Sequence, residues 1–158
     1  MKNYLGINID KIFLFHCLPE SKLHTVSKKF FFRVNSHSHI EIIKTLYPNT
    51  LSFYFISSVL SNLNLKHKFH YSYSKKIVED FIHKNNYTKC KIFRLGPINS
   101  GFDDPAFKIL GCSIFYASKK IYSKLNKPSQ IYTIPIYWNL VNILVKTLTS
   151  FRNLLTKK

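Results

Sequence analysis

Phe53-Tyr54-Phe55-Ile56-Ser57-Ser58 is followed by Tyr71-Ser72-Tyr73-Ser74-Lys75 and then by Lys91-Ile92-Phe93-Arg94-Leu95-Gly96-Pro97-Ile98-Asn99-Ser100. The first and third pieces are short apolar runs of strand composition, and the third is broken at Gly96-Pro97. The piece between them has helical period and is predicted to form a helix over about 71–85, between strands at 51–56 and 89–93. Upstream, Lys11-Ile12-Phe13-Leu14-Phe15-His16 is apolar on both faces, as in a parallel strand covered by helices on each side. A helical stretch over about 27–46 follows and ends at Tyr47-Pro48-Asn49. Downstream, the loop Gly101-Phe102-Asp103-Asp104-Pro105 leads to a helix ending near Lys124, a short strand at 130–134 and a last helix at about 137–155. Strict alternation of strand and helix predicts right-handed crossovers and a parallel sheet, hence an α/β fold.

The 158 residues are 46% hydrophobic and 16% aromatic, which suits one folded domain with a real core. A net charge of +17 raises nucleic acid or an anionic membrane as a partner. The charge is dispersed, however, and lysine far outnumbers Arg33, Arg94 and Arg152, a bias that an AT-rich coding sequence also produces. With no nucleic-acid motif beside it, the charge argues against a nucleic-acid role. Cys17, Cys90 and Cys112 are odd in number and widely spaced, so neither a disulfide framework nor a zinc knuckle is indicated and a reducing cytoplasm fits. No signal peptide is read, because Asp10 and Lys11 interrupt the N-terminal stretch, and no segment reaches the roughly 18 apolar residues of a spanning helix. His37 and His39 fall on different helix faces, and His67 and His70 lie in a polar stretch with no carboxylate or cysteine beside them, so no metal site is read. His16 reads as a packing residue at a strand end.

Tyr71 and Lys75 sit four apart at the start of a helix, which puts phenol and ammonium on one face, one turn apart. An ammonium beside a phenol stabilises the phenolate, so such a pair can exchange a proton with a substrate oxygen. The spacing alone carries little weight in so lysine-rich a chain: about one such pair is expected by chance, and Tyr87/Lys91 and Tyr116/Lys120 share it. Only Tyr71 has a serine delivered from a strand end, Ser58, thirteen residues upstream, where open parallel sheets place their active groups.

This combination resembles the short-chain dehydrogenase/reductase family. The resemblance implies that Ser58 polarises the substrate carbonyl or hydroxyl, that Tyr71 is the acid/base, and that Lys75 lowers the pKa of Tyr71 and bonds the nicotinamide ribose. Asn35, in Phe32-Arg33-Val34-Asn35, matches the asparagine that the family uses to hold a water against the lysine. Gly96, Pro97, Ile98 and Ser100 are similar to the Pro-Gly loop that bonds the carboxamide and phosphates of the cofactor, with Leu95 in place of its proline and Ser100 in place of its threonine. The implied cofactor is NAD or NADP, and the implied activity is oxidoreduction of a carbonyl or alcohol. The stretch Tyr132-Thr133-Ile134-Pro135-Ile136-Tyr137-Trp138 and its amphipathic helix look like a subgroup linked to lipid or surface-polysaccharide metabolism. Phe15-His16-Cys17 is similar to the longer, sugar-nucleotide-modifying branch.

The beginning departs from the family. The four glycines, at 6, 96, 101 and 111, form no glycine-rich nucleotide-binding turn, so the pyrophosphate site at a helix N-terminus is missing. The resemblance then implies an N-terminally truncated, Rossmann-like catalytic domain over 1–158 that keeps the C-terminal half of the doubly wound sheet. The strand at 11–16 becomes a bare edge that invites a second copy or another polypeptide. The helix and basic tail at 137–158 suit docking on the sheet or shallow contact with the inner face of a membrane. The alternative function is a non-catalytic remnant acting as a basic membrane-associated or protein-binding module.

Overall fold

The computed structural model describes residues 9–15, 17–62, 70–98, 111–127 and 130–155; for 20, 21, 62, 146 and 149–155 it describes the backbone alone. Four strands, β1 (Ile9–Leu14), β2 (Thr50–Ser58), β3 (Cys90–Leu95) and β4 (Ile131–Ile134), form one sheet in chain order. All three pairings are parallel, with Leu14 beside Phe55, Ser58 beside Leu95, and Leu95 beside Ile134. Each of the first three strands is therefore followed by a crossover, which is what alternating strand and helix patterns dictate.

The first crossover holds α1 (Lys28–Phe32), a π turn (Arg33–His37) and α2 (Ser38–Leu46) in one continuous stretch. Ser27 caps it by accepting from the Phe30 amide at 3.2 Å. Later crossovers carry α3 (His70–Lys84) and α4 (Ile114–Lys124), and α5 (Trp138–Leu155) follows β4. The pleat sorts strand residues between two cores. Leu14, Phe53, Phe55 and Ile92 face Ile43 of α2 and Val78 and Ile82 of α3. On the opposite face Tyr54, Phe93 and Ile134 pack with Ile121 and Leu125, at α4 and just beyond it. Rings run across that second face: Phe13 on Tyr54 (4.6 Å between centroids), Tyr54 on Phe93 (6.2 Å) and Phe93 on Tyr132 (5.3 Å).

The apolar run at β1 differs from its sequence reading. Ile12 and Leu14 join the α2/α3 core, but Phe13 on the other face is 42% exposed and Phe15 just beyond is 68% exposed. β1 stands at the end of the strand order, so among the described residues only one of its faces is covered by helix.

A buried ion pair ties α3 to the sheet. Glu79 is 2% exposed; it accepts from Arg94 of β3 through both nitrogens offered (Nε at 3.1 Å, Nη2 at 2.6 Å) and from Ser57 (2.5 Å) and Ser61 (2.7 Å). Removing one member of such a pair leaves an uncompensated charge in the interior. Arg94→Ala should cost about 3 kcal/mol of unfolding free energy in urea denaturation, and combining Arg94→Met with Glu79→Leu should recover most of it.

Candidate active site

The carboxyl ends of β1 and β2 bring together the first two turns of α3, the π turn and the segment after β1. Tyr71 and Lys75 project from α3 as their spacing requires: the Lys75 ammonium lies 5.7 Å from the centre of the Tyr71 ring and 5.1 Å from that of Phe55 on β2. Lys75 is 1% exposed, and its Nζ has no hydrogen-bond partner among the described residues. Burial therefore lowers its pKa from the usual lysine range, opposed by the nearby Cys17 sulfur. Tyr71 moves the other way. Burial foremost, then Cys17, raises its phenol far above the ordinary value, so it stays protonated at neutral pH.

Cys17 completes this group. Its thiol donates to the Tyr71 hydroxyl at 3.6 Å, and both residues are half-buried. Sequence reasoning reads Cys17 as one of three widely spaced cysteines and as part of a strand end, without a role in the site. The available signal is its place three residues beyond a parallel strand's carboxyl terminus, where such folds gather reactive groups.

Asn35 sits in the π turn, fully buried. Its carboxamide closes on the backbone of one residue in the segment after β1, donating to the Leu18 carbonyl (2.8 Å) and accepting from the Leu18 amide (2.6 Å). Its own backbone carbonyl accepts from the His39 ring at 3.1 Å. One turn of π helix is a common device for aiming a side chain out of register. Here the turn is also tied to α3, because Ser36 donates to the Ser74 carbonyl at 2.9 Å. Asn35 thus fixes the segment carrying Cys17, while Ser36 fixes the helix carrying Tyr71 and Lys75.

Ser58 ends β2 beside Leu95 and is 9% exposed; its Oγ accepts from the Leu60 amide at 3.2 Å, which leaves the O–H proton to donate. Its neighbour Ser57 points to the other face and is bound to Glu79. Gly96 donates to the Ile134 carbonyl (2.8 Å), the Pro97 carbonyl accepts from the Cys112 amide (2.9 Å), and Ile98 bridges to Cys112. Gly96 is required by a close approach: a Cβ there would lie 2.5 Å from Nε1 of Trp138, which is 6% exposed and has little room to yield. Ser100, Asn99, His16, His67 and the loop 101–105 lie outside the described residues.

A nicotinamide nucleotide finds partial correspondence here. The orphaned, buried Lys75 ammonium is a donor that ribose hydroxyls would satisfy. The space against Gly96 is filled by Trp138, and the chain offers no glycine-rich turn for a pyrophosphate. The residues present therefore fit the nicotinamide end of such a molecule.

No family model matches the chain, and no curated protein matches it. Solved structures do. A short chain dehydrogenase from Burkholderia cenocepacia J2315, in complex with NADP, superposes with a TM-score of 0.63 at 14% identity, covering 93% of this chain and 67% of that one. A short-chain dehydrogenase from Streptomyces avermitilis gives 0.53 at 15% identity, covering 95% and 66%. A carbonyl reductase from Pseudomonas aeruginosa PAO1, in complex with NADP, gives 0.50 at 12% identity, covering 82% and 63%. The fold of this chain is that of the short-chain dehydrogenases/reductases, and the chain spans about two thirds of the length of those proteins.

The unpaired ammonium has a cost that depends on pH. With its folded pKa depressed, Lys75 binds fewer protons in the folded than in the unfolded chain between that value and the ordinary one near 10.4, so its penalty shrinks as pH rises through that window. Tyr71 loses its proton in the unfolded chain only near pH 10, so the Lys75 effect is separable below that. Lys75→Met should stabilise the chain by about 1–2 kcal/mol at pH 7, with the gain diminishing toward pH 10 in parallel urea titrations.

Proposed function

We propose that the chain is the catalytic part of an NAD(P)-dependent oxidoreductase that reduces a carbonyl or oxidises an alcohol, on a sugar or lipid-linked substrate. The observation carrying this reading is the buried Tyr71–Lys75 pair, with a protonated phenol and an ammonium that has no hydrogen-bond partner among the described residues, on a helix docked at the carboxyl ends of a parallel sheet. Held protonated, Tyr71 is set to give its proton to the oxygen of a carbonyl as that carbon is reduced. Ser58, with its O–H free to donate, polarises the same oxygen. Lys75 would bond the ribose of the nicotinamide, and its charge eases the return of a proton to Tyr71. A bound NAD or NADP would supply or accept the hydride. Asn35 holds the segment after β1 in place, and the Gly96-Pro97-Ile98 segment would close the nicotinamide side.

The cytoplasmic working unit is completed by polypeptide lying along β1, either from a longer product of which this is the truncated part or from another chain. Such an arrangement places the adenosine and pyrophosphate sites outside the residues present.

The reading is tested with the nicotinamide end alone. Saturation-transfer NMR with NADPH should show stronger transfer to the nicotinamide and its ribose than to the adenine. Tyr71→Phe should lower carbonyl-dependent NADPH oxidation by about 10²- to 10⁴-fold. Stronger transfer to adenine, or turnover indifferent to the substitution, would overturn it.

The alternative module reading rests on α5. Among the described residues no helix is long and apolar enough to cross a membrane. The side of α5 facing away from Trp138 and Asn142 nevertheless exposes Leu140, Ile143, Leu144 and Leu148, each by 60% or more. With a net charge of +17, this stripe suits shallow contact with anionic lipid. The chain should float with phosphatidylserine vesicles at low salt and lose flotation in a Leu140→Asn/Leu144→Asn/Leu148→Asn variant; equal flotation of the two removes the membrane reading.

A further inference from the structure

Three groups meet at the end of β1 in an arrangement that proton exchange with a substrate does not require. The Cys17 thiol reaches the Tyr71 hydroxyl at 3.6 Å, and the Lys75 ammonium, 5.7 Å from the centre of the same ring, is buried without a hydrogen-bond partner among the described residues. Cys90 and Cys112 are buried, and burial pushes both thiols up, Cys90 to about 12. Cys17 is half-buried, donates to the Tyr71 hydroxyl, and lies close enough to Lys75 for its sulfur to act on the ammonium. Its segment is anchored through Leu18 to Asn35, so the sulfur is held beside that pair.

Thiol reactivity is set by the thiolate, which neighbouring cations and hydrogen-bond donors favour. The same two donors, placed beside the sulfur, can also bond an oxygen that gains negative charge when the sulfur attacks a nearby carbon. We infer that Cys17, Tyr71 and Lys75 form a covalent thiol site for soft electrophiles, with α,β-unsaturated carbonyl compounds as the class that uses all three. The Cys17 sulfur, its proton lost to solvent, forms a C–S bond to the β-carbon. The carbon–carbon π pair shifts to give an enolate, whose oxygen accepts from the Tyr71 hydroxyl and the Lys75 ammonium. A solvent proton then adds at the α-carbon. The product is a thioether, no bond other than the π bond and S–H is broken, and no oxidant is consumed. The site stands whether or not the chain handles a nicotinamide, since every participating group belongs to the protein.

N-ethylmaleimide, itself an α,β-unsaturated dicarbonyl, is the probe. Limited labelling of the folded full chain, followed by peptide mass spectrometry, should modify Cys17 at least about tenfold faster than Cys90 or Cys112, and faster than Cys17 in the urea-unfolded chain at the same pH. Lys75→Met and Tyr71→Phe should each slow labelling of Cys17 by about tenfold or more. Tyr71→Phe keeps the ring and removes only the hydroxyl, so it tests the tyrosine's part apart from that of the cation. Cys17 reacting no faster in the folded chain than in urea, or at an unchanged rate in a folded Tyr71→Phe variant, would overturn the inference.

Discussion

The Glu79 carboxylate lies where α3 crosses the ends of β2 and β3, and it accepts from Ser57, Ser61 and Arg94 at once. Its place on the helix matters as much as its partners. Residues 71, 75 and 79 are separated by four each, so they run along one side of α3. Fixing Glu79 against β2 and β3 sets the rotation of the helix about its axis, and with it the direction in which Tyr71 and Lys75 point. Ser57 supplies one of those bonds from the strand position next to Ser58. A buried ion pair contributes little net stability compared with apolar packing, but it tolerates few alternative geometries. The Ser36 bond to the Ser74 carbonyl secures the same helix from the π turn.

Given that frame, the burial of Lys75 is an imposed cost. Desolvation of an ammonium set against the aromatic faces of Phe55 and Tyr71 is only partly offset by cation–π attraction and by the nearby Cys17 sulfur. Chains keep such groups where activity depends on them, at the expense of stability. The same burial acts with opposite sign on the two members of the pair, raising the phenol and lowering the ammonium. Proximity of the lysine does not by itself bring Tyr71 below its ordinary value here, because loss of solvent dominates.

The four strands are legible in the sequence because each is a short apolar run closed by a turn signal, and their parallel order follows from the helical segments between them. The Tyr71–Lys75 spacing likewise survives into the structure as a shared helix face. What sequence could not supply is what depends on contacts across the fold. Cys17 lies 54 positions from Tyr71, and no local pattern joins them. Glu79 reads as one more charge on a helix until Arg94 arrives from the next strand. The π turn leaves no mark in composition, since Arg33-Val34-Asn35-Ser36-His37 is ordinary helical sequence. At β1 the apolar pattern is faithful, but it cannot say that only one face is covered among the described residues. Gly96 reads as a loop glycine, whereas its necessity comes from an indole 42 residues away.

Because the sheet order β1-β2-β3-β4 is also the chain order, each strand docks on the one made just before it. No strand has to wait for a later one to be inserted between itself and its neighbour, which lowers the loop-closure entropy of each step. The topology therefore permits growth of the sheet in the direction of synthesis, with the segment after β1, the π turn and the start of α3 assembled from a stretch ending at Lys75. Arg94 and Trp138 come later and lock what is already in place, the first by charge and the second by shape. A ribosome-bound intermediate stopped before Arg94 would hold the Glu79 carboxylate without its cation, fixed to the end of β2 by the Ser57 and Ser61 hydroxyls until β3 is added.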